Sequence, residues 1–148
     1  MTHTLWSERD RRALDDRLAR LTPDAPGLWG SFDAPRMLCH ITDAVRWAIG
    51  EVTCAPKLSP LRHAPINSLV MFYLPWPKSA PTAPELLTRK PEAWETEVAR
   101  FRAAVDALTK RPRDGPWPTH VAFGRLSGAQ WGRLLYRHTD HHLKQFGV

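Results

Sequence analysis

The sequence predicts an all-α fold, a four-helix bundle with a long proline-rich crossover between its second and third helices. Three observations carry that expectation. Four stretches repeat apolar residues at helical spacing, and three of them follow a residue suited to cap a helix N-terminus. The segment from Val52 to Lys90 holds seven prolines and no long periodic element. The chain has no internal repeat, so similar amphipathic helices joined by one long connection suit a bundle with a crossover.

The first helix is expected in "SERDRRALDDRLARL", where Ser7 and Asp10 form the start of a capping arrangement and Leu14, Leu18 and Leu21 recur on one side. Pro23 ends it. The turn region "TPDAPGLWGSF" leads to Asp33, an N-cap for "APRMLCHITDAVRWAIGE", with Pro35 tolerated in the first turn. Met37, Ile41, Val45 and Ala48 form its apolar stripe. In the 52–90 connection, "INSLVMFYL" suits a short buried helix or a strand, with a helical turn or two favoured. Leu69, Phe72, Leu74 and Trp76 call for burial there, so this connection is expected to pack over one end of the core.

The third helix has the clearest pattern: Trp94, Val98, Phe101, Val105 and Leu108 recur at intervals of four and three, with charges between them. The run "KRPRDGPWP" ends it. Ser127 and Gln130 then make a capping box that opens the last helix.

A chain of 148 residues buries roughly two-thirds of its unfolded surface, which is enough for one core, so residues 1–148 are expected to form a single domain. No apolar run approaches the ~20 residues of a membrane span. The opening "MTHTLWSERDRR" is polar where a signal peptide is apolar, so a cytoplasmic location is expected. Cys39 and Cys54 form neither a CxxC pair nor a disulfide framework, and reduced thiols are the simplest state. The formal charge of +6 favours anionic partners, yet Lys and Arg are scattered and no zinc-finger, RRM or KH motif is present. Nucleic-acid binding therefore ranks last.

The chemistry lies in the tail "YRHTDHHLKQFGV". At ~100° per residue, Trp131, Leu134, Leu135, His138, His142 and Gln145 fall on one side of the last helix, and Arg133, Arg137, Asp140 and Lys144 fall opposite. His138 and His142 thus occupy the stripe that faces the other helices. Imidazoles at i and i+4 rise from successive turns about 5–6 Å apart at Cβ, close enough to share one metal ion. A buried imidazole needs a partner for its lone pair, and a cation satisfies two at once, although backbone or water hydrogen bonds serve buried histidines as well.

His40, beside Met37 and Ala44 on the second helix, is the third candidate ligand. Asp43, one turn later, suits orienting an imidazole, direct coordination or plain surface exposure. His141 flanks the stripe as a supporting or rim residue. Gln145 is placed to hydrogen-bond a ligand or a packed loop, and Asp140 to face solvent. Cys39 reads as a small core residue rather than a nucleophile. His3, His63 and His120 have no assigned role.

The combination of "MLCHITDA" with the final H-x3-H-x2-Q of His138, His142 and Gln145 resembles the DinB-like superfamily of metal-binding four-helix bundles. The stretch "FGRLSGAQWGRLLYRHTDHHLKQFGV", together with "WGSFDAPRMLCH" and the proline-rich middle, is similar to a bacterial branch of that superfamily, and the likeness covers nearly the whole chain. The resemblance implies a bundle, often dimeric, holding zinc or nickel on His40, His138 and His142. It also implies, more weakly, a thiol-dependent transferase acting with a low-molecular-weight thiol.

Three neutral nitrogen ligands leave a coordination position open, as in catalytic metal sites, so hydrolysis or thiol transfer on a small-molecule substrate is one expectation. The alternative is a non-enzymatic binding or stress-response protein in which the ion stabilises the bundle or the histidines form a metal-free polar network.

Overall fold

The computed structural model describes residues 2–78 and 80–148. Met1, in the expected 1–148 domain, and Ser79, in the 52–90 connection, lie outside the described residues. Those residues are all-helical, with five α-helices: α1 (Glu8–Leu18), α2 (Ala34–Ala48), α3 (Ile66–Phe72), α4 (Trp94–Thr109) and α5 (Gly128–Gln145). Two 3-10 turns, Pro60–Arg62 and Pro84–Leu87, punctuate the long connection. An isolated antiparallel bridge pairs His120 with Gly124, and among the described residues no helix is long and apolar enough to cross a membrane.

Local chemistry sets the helix starts. The Ser7 hydroxyl accepts from the Asp10 N–H, the Asp33 carboxylate from the Arg36 N–H, and the Ser127–Gln130 capping box closes in both directions. These bonds satisfy N–H groups that the first turn leaves without partners. Pro35 stands in the first turn of α2, where a missing N–H costs nothing. Leu21, read from sequence as part of the first stripe, is buried just beyond the end of α1.

Packing centres on α2, of whose residues only Pro35, Arg36 and Arg46 escape burial. It lies against both α4 and α5, while α1 packs on α5. The stripes read from sequence supply the interior: Met37, Ile41, Val45 and Ala48 from α2, Phe101, Val105 and Leu108 from α4, and Trp131, Leu134 and Leu135 from α5. Gly132 permits the segment that precedes α1 to approach α5. A Cβ there would stand 2.3 Å from Trp6 Nε1, and that same indole donates to Gly128 O at 2.8 Å.

Three surface assignments change. Leu69 and Leu74 are 48% and 44% exposed, and Phe72 and Trp76 are only half-buried, so the connection covers the core less completely than its apolar content suggests. Asp140 does not face open solvent: Arg17 from α1 reaches it at 2.7 Å, as does Lys144 one turn along α5. Arg137 also turns inward, donating to Met71 O at 2.6 Å and to Leu74 O, which ties the α3 region to α5.

Glu97, one of the charges between the apolar positions of α4, is fully buried. Arg89, from the end of the long connection, bridges it to α2. Its Nη1 lies 2.7 Å from Glu97 and its Nε 3.0 Å from Asp43, while Arg100 and Arg46 each add a further ion pair. A carboxylate withdrawn from water needs such charge-assisted hydrogen bonds to remain ionised.

Candidate metal centre

The same packing brings His40 from α2 against His138 and His142 from α5. One ring nitrogen from each of the three lies within 4.8 Å of the other two, and no Cys, Asp or Glu joins the group among the described residues. His40 Nε2 and His138 Nε2 stand 3.0 Å apart. Bonds of ~2.0–2.1 Å from one ion to tetrahedrally placed imidazole nitrogens put those nitrogens about 3.3 Å apart, within the range this cluster spans. The three histidines can therefore hold a metal ion.

Hydrogen bonds to the outer ring nitrogens fix how the rings present themselves. His40 Nδ1 lies 3.3 Å from Leu86 O. A carbonyl only accepts, so Nδ1 carries the proton and Nε2 keeps a lone pair facing His138. His142 Nδ1 lies 2.8 Å from Gln145 Oε1. The orientation of that amide is itself determined, because its Nε2 donates to Trp29 O at 2.8 Å. Gln145 must therefore offer oxygen to His142, whose Nδ1 donates and whose Nε2 is left as the lone-pair nitrogen. This is the pattern of metal-bound histidines, in which the remote N–H is held by a carbonyl or carboxylate that sets the tautomer.

The Trp29 loop that holds Gln145 needs a particular backbone. Gly30 has a φ of +76°, and a Cβ there would stand 2.5 Å from Gln145 Nε2. Both the left-handed conformation and the close approach call for glycine.

Burial sets the electrostatics. It pushes His40 below the ordinary histidine range, against the opposing effect of its bond to Leu86 O. His142 falls to about 3, by burial first and then by the neighbouring His40. His138 is driven well below its usual value by burial, with His142 and His40 adding to the effect. All three are neutral near pH 7, with lone pairs available. Phe32 closes one side, its ring 5.2 Å from His40 and 5.8 Å from His142. Of the three residues His138 is the least buried.

The flanking residues divide. Gln145 bonds both a ring of the cluster and a packed loop. His141 stands on the rim, its ring 5.2 Å from His142 and between Trp29 at 5.9 Å and Trp76 at 6.0 Å. Asp43 is buried, but its oxygens face Arg89 and Arg46 rather than an imidazole. Leu86 O takes the orienting position beside His40. Cys39 and Cys54 are buried free thiols, raised by burial to about 12 and about 11. Neither is poised to act as a nucleophile at neutral pH.

Trp29, Phe32, Trp76 and the Leu86 carbonyl were not legible as parts of the site. The only sequence signal for them is the wealth of aromatic residues in segments without periodicity. His120 belongs to a separate structural cluster, where its Nδ1 accepts from the N–H groups of Ala122 and Phe123 at 3.1 and 3.2 Å.

Fold and site thus define an all-helical protein with a three-histidine cluster able to hold a metal ion. Residues 75–147 match a family described as "Protein of unknown function (DUF1569)". The matched span contains His138, His142 and Gln145 and lies wholly after His40. No curated protein and no solved structure matches the chain.

Proposed function

We propose that this chain is a divalent-metal protein of the DinB-like type, a four-helix bundle with a crossover, holding zinc or nickel on His40, His138 and His142. One observation carries the reading. Two rings of the cluster have their outer nitrogens committed to oxygen acceptors, Leu86 O and Gln145 Oε1, so their inner nitrogens are lone-pair donors converging with His138 in a buried space. Lone pairs in such a space repel unless a proton or a cation lies among them.

When bound, the ion supplies Lewis acidity to whatever occupies its open position, which suits hydrolysis or thiol transfer on a small molecule. Leu86 O and Gln145 Oε1 hold the His40 and His142 rings fixed, and Phe32 excludes water from one side. A low-molecular-weight thiol as co-substrate and a homodimeric state belong to the same reading.

A second reading has its own support. The 3.0 Å between His40 Nε2 and His138 Nε2 is also a hydrogen-bond distance, so His138 can donate a proton to His40 in a metal-free polar network. That arrangement engages only two of the three rings, whereas a metal ion uses a nitrogen of each, and for this reason the metal reading is preferred.

Elemental analysis of untagged protein tests the choice. One ion per chain, lost in both His138→Ala and His142→Ala, is expected. Unchanged metal content in both variants, or none in the parent, refutes the metal reading. A thiol-transfer and ester-hydrolysis screen with and without chelator then separates an enzyme from a protein merely stabilised by its ion.

A further inference from the structure

We infer that the surface cleft between the Pro60–Arg62 turn and the 121–125 loop binds the phosphate group of a small organic phosphate, held by Arg62 and Arg125. The cleft has a volume of about 610 Å³, which suits a small-molecule ligand. None of the three clustered histidines lines it, so the inference does not depend on the metal reading.

Backbone contacts build the floor. The Lys57 N–H donates to Val121 O at 3.3 Å, and the Asn67 amide donates to Phe123 O at 3.4 Å, so the two segments are fastened on both sides of the turn. Between these bonds Gly124 lies directly on the turn. A Cβ there would stand 2.9 Å from Arg62 O and 3.5 Å from Arg62 Cα. This approach, and a φ of +75°, call for glycine. Arg125 is the next residue, so the two arginines start from backbone almost in contact and line the same cleft.

Charge then selects the ligand. Among the described residues neither guanidinium makes a hydrogen bond, an ion pair or a ring contact, and no Asp or Glu lines the cleft. Arg17, Arg46, Arg89 and Arg102 each pair with a carboxylate instead. Two uncompensated cations on one cleft raise its positive potential and favour an anion, and the planar guanidinium fork matches the oxygens of a phosphate.

The remaining lining fits the same ligand. Ser59 Oγ accepts from the Leu61 N–H at 3.2 Å, which leaves its own O–H free to donate. His63 offers a ring N–H in either tautomer. Leu58, 97% exposed, and Pro60 add apolar surface that a bare inorganic ion leaves uncovered and an attached organic group covers.

The experiment follows the backbone amide resonances of the full chain, as purified and again with chelator, during titration with phenyl phosphate, inorganic phosphate and phenol. Phenyl phosphate is expected to give saturable shifts centred on Gly124 and Arg125 in both preparations, and phenol none. Inorganic phosphate should bind about threefold more weakly, for want of the apolar contact. Arg62→Met and Arg125→Met should each weaken phenyl phosphate about tenfold, the scale of one charge-assisted hydrogen bond. Thermal stability should stay the same, because neither guanidinium bonds to the protein.

No saturation, shifts centred on the histidines of α5, or an unchanged affinity in either variant overturns the inference. Equal affinity for inorganic and phenyl phosphate overturns its organic part. Tighter binding of a single-stranded oligonucleotide at the same residues would assign the cleft to nucleic acid and overturn the small-molecule class. Should Arg62→Met fail to fold, the exposed Arg125→Met and the three titrations of the parent still decide.

Discussion

Gln145 and His142 form a single orienting unit. The amide oxygen of Gln145 sits 2.8 Å from His142 Nδ1, and the amide nitrogen, 2.8 Å from Trp29 O, cannot exchange places with it. A backbone carbonyl in the loop before α2 thus dictates which nitrogen of a histidine on α5 carries its proton. Replacing Gln145 by Met keeps the volume and removes both bonds. Zinc affinity, followed by competition with a chromophoric chelator, should fall about 10–100-fold, the usual effect of losing a group that orients a ligand. Gln145→Glu, which restores an oxygen acceptor, should recover part of it. An unchanged affinity in Gln145→Met would mean that the tautomer is set by something else.

The Arg89 bridge between α2 and α4 should be indispensable to stability. Arg89→Met leaves Asp43 and the fully buried Glu97 with less than their charge requires, and breaking a buried pair on one side costs about 3–5 kcal/mol. Arg100 and Arg46 retain contacts with these carboxylates, so the lower end, about 3 kcal/mol by urea unfolding, is expected. Adding Glu97→Gln to Arg89→Met should return part of the loss. A cost below about 1 kcal/mol would show that the network contributes little.

His120 should make stability depend on pH. Burial lowers it to about 3 in the fold, whereas an unfolded histidine titrates near 6.5. Between those values the unfolded chain holds the additional proton, so this contribution is complete above about pH 6.5 and is lost as pH falls toward 3. Protonating Nδ1 also removes the acceptor used by the Ala122 and Phe123 N–H groups. In His120→Asn the slope of unfolding free energy against pH in this window should fall by about 1.4 kcal/mol per pH unit, one proton's worth. The buried histidines of the cluster maintain the remaining slope. Identical slopes in parent and variant would contradict the assignment.

How far the sequence could be read depended on the range of the interaction. Ser7, Asp33 and the Ser127–Gln130 pair mark helix starts through bonds three residues long, and such signals survive without any knowledge of the fold. His138 and His142 could be placed together because their spacing alone puts them on the apolar side of α5, and His40 because it borders the stripe of α2. Asp43 and Glu97 could not be placed. From sequence Asp43 suits an imidazole partner, a ligand or a surface group and Glu97 is one charge among several, until Arg89, distant from one of them in sequence, arrives from the long connection. Leu69 and Leu74 show the opposite failure, apolar residues left exposed because nothing among the described residues packs over them. Gln145, which sets the His142 tautomer, was legible from its place one turn further along α5, whereas Leu86 and Trp29 act through backbone carbonyls, which carry no side-chain signature.

X-ray absorption at the metal edge of untagged, zinc-loaded protein tests the central claim most directly, since it reads the ligands themselves. Three imidazole nitrogens at about 2.0–2.1 Å with an additional light-atom ligand are expected, falling to two imidazoles, or to no bound zinc, in His40→Ala. Fewer than three imidazoles in the parent, or a parent spectrum that His40→Ala leaves unaltered, would contradict a site assembled from α2 and α5.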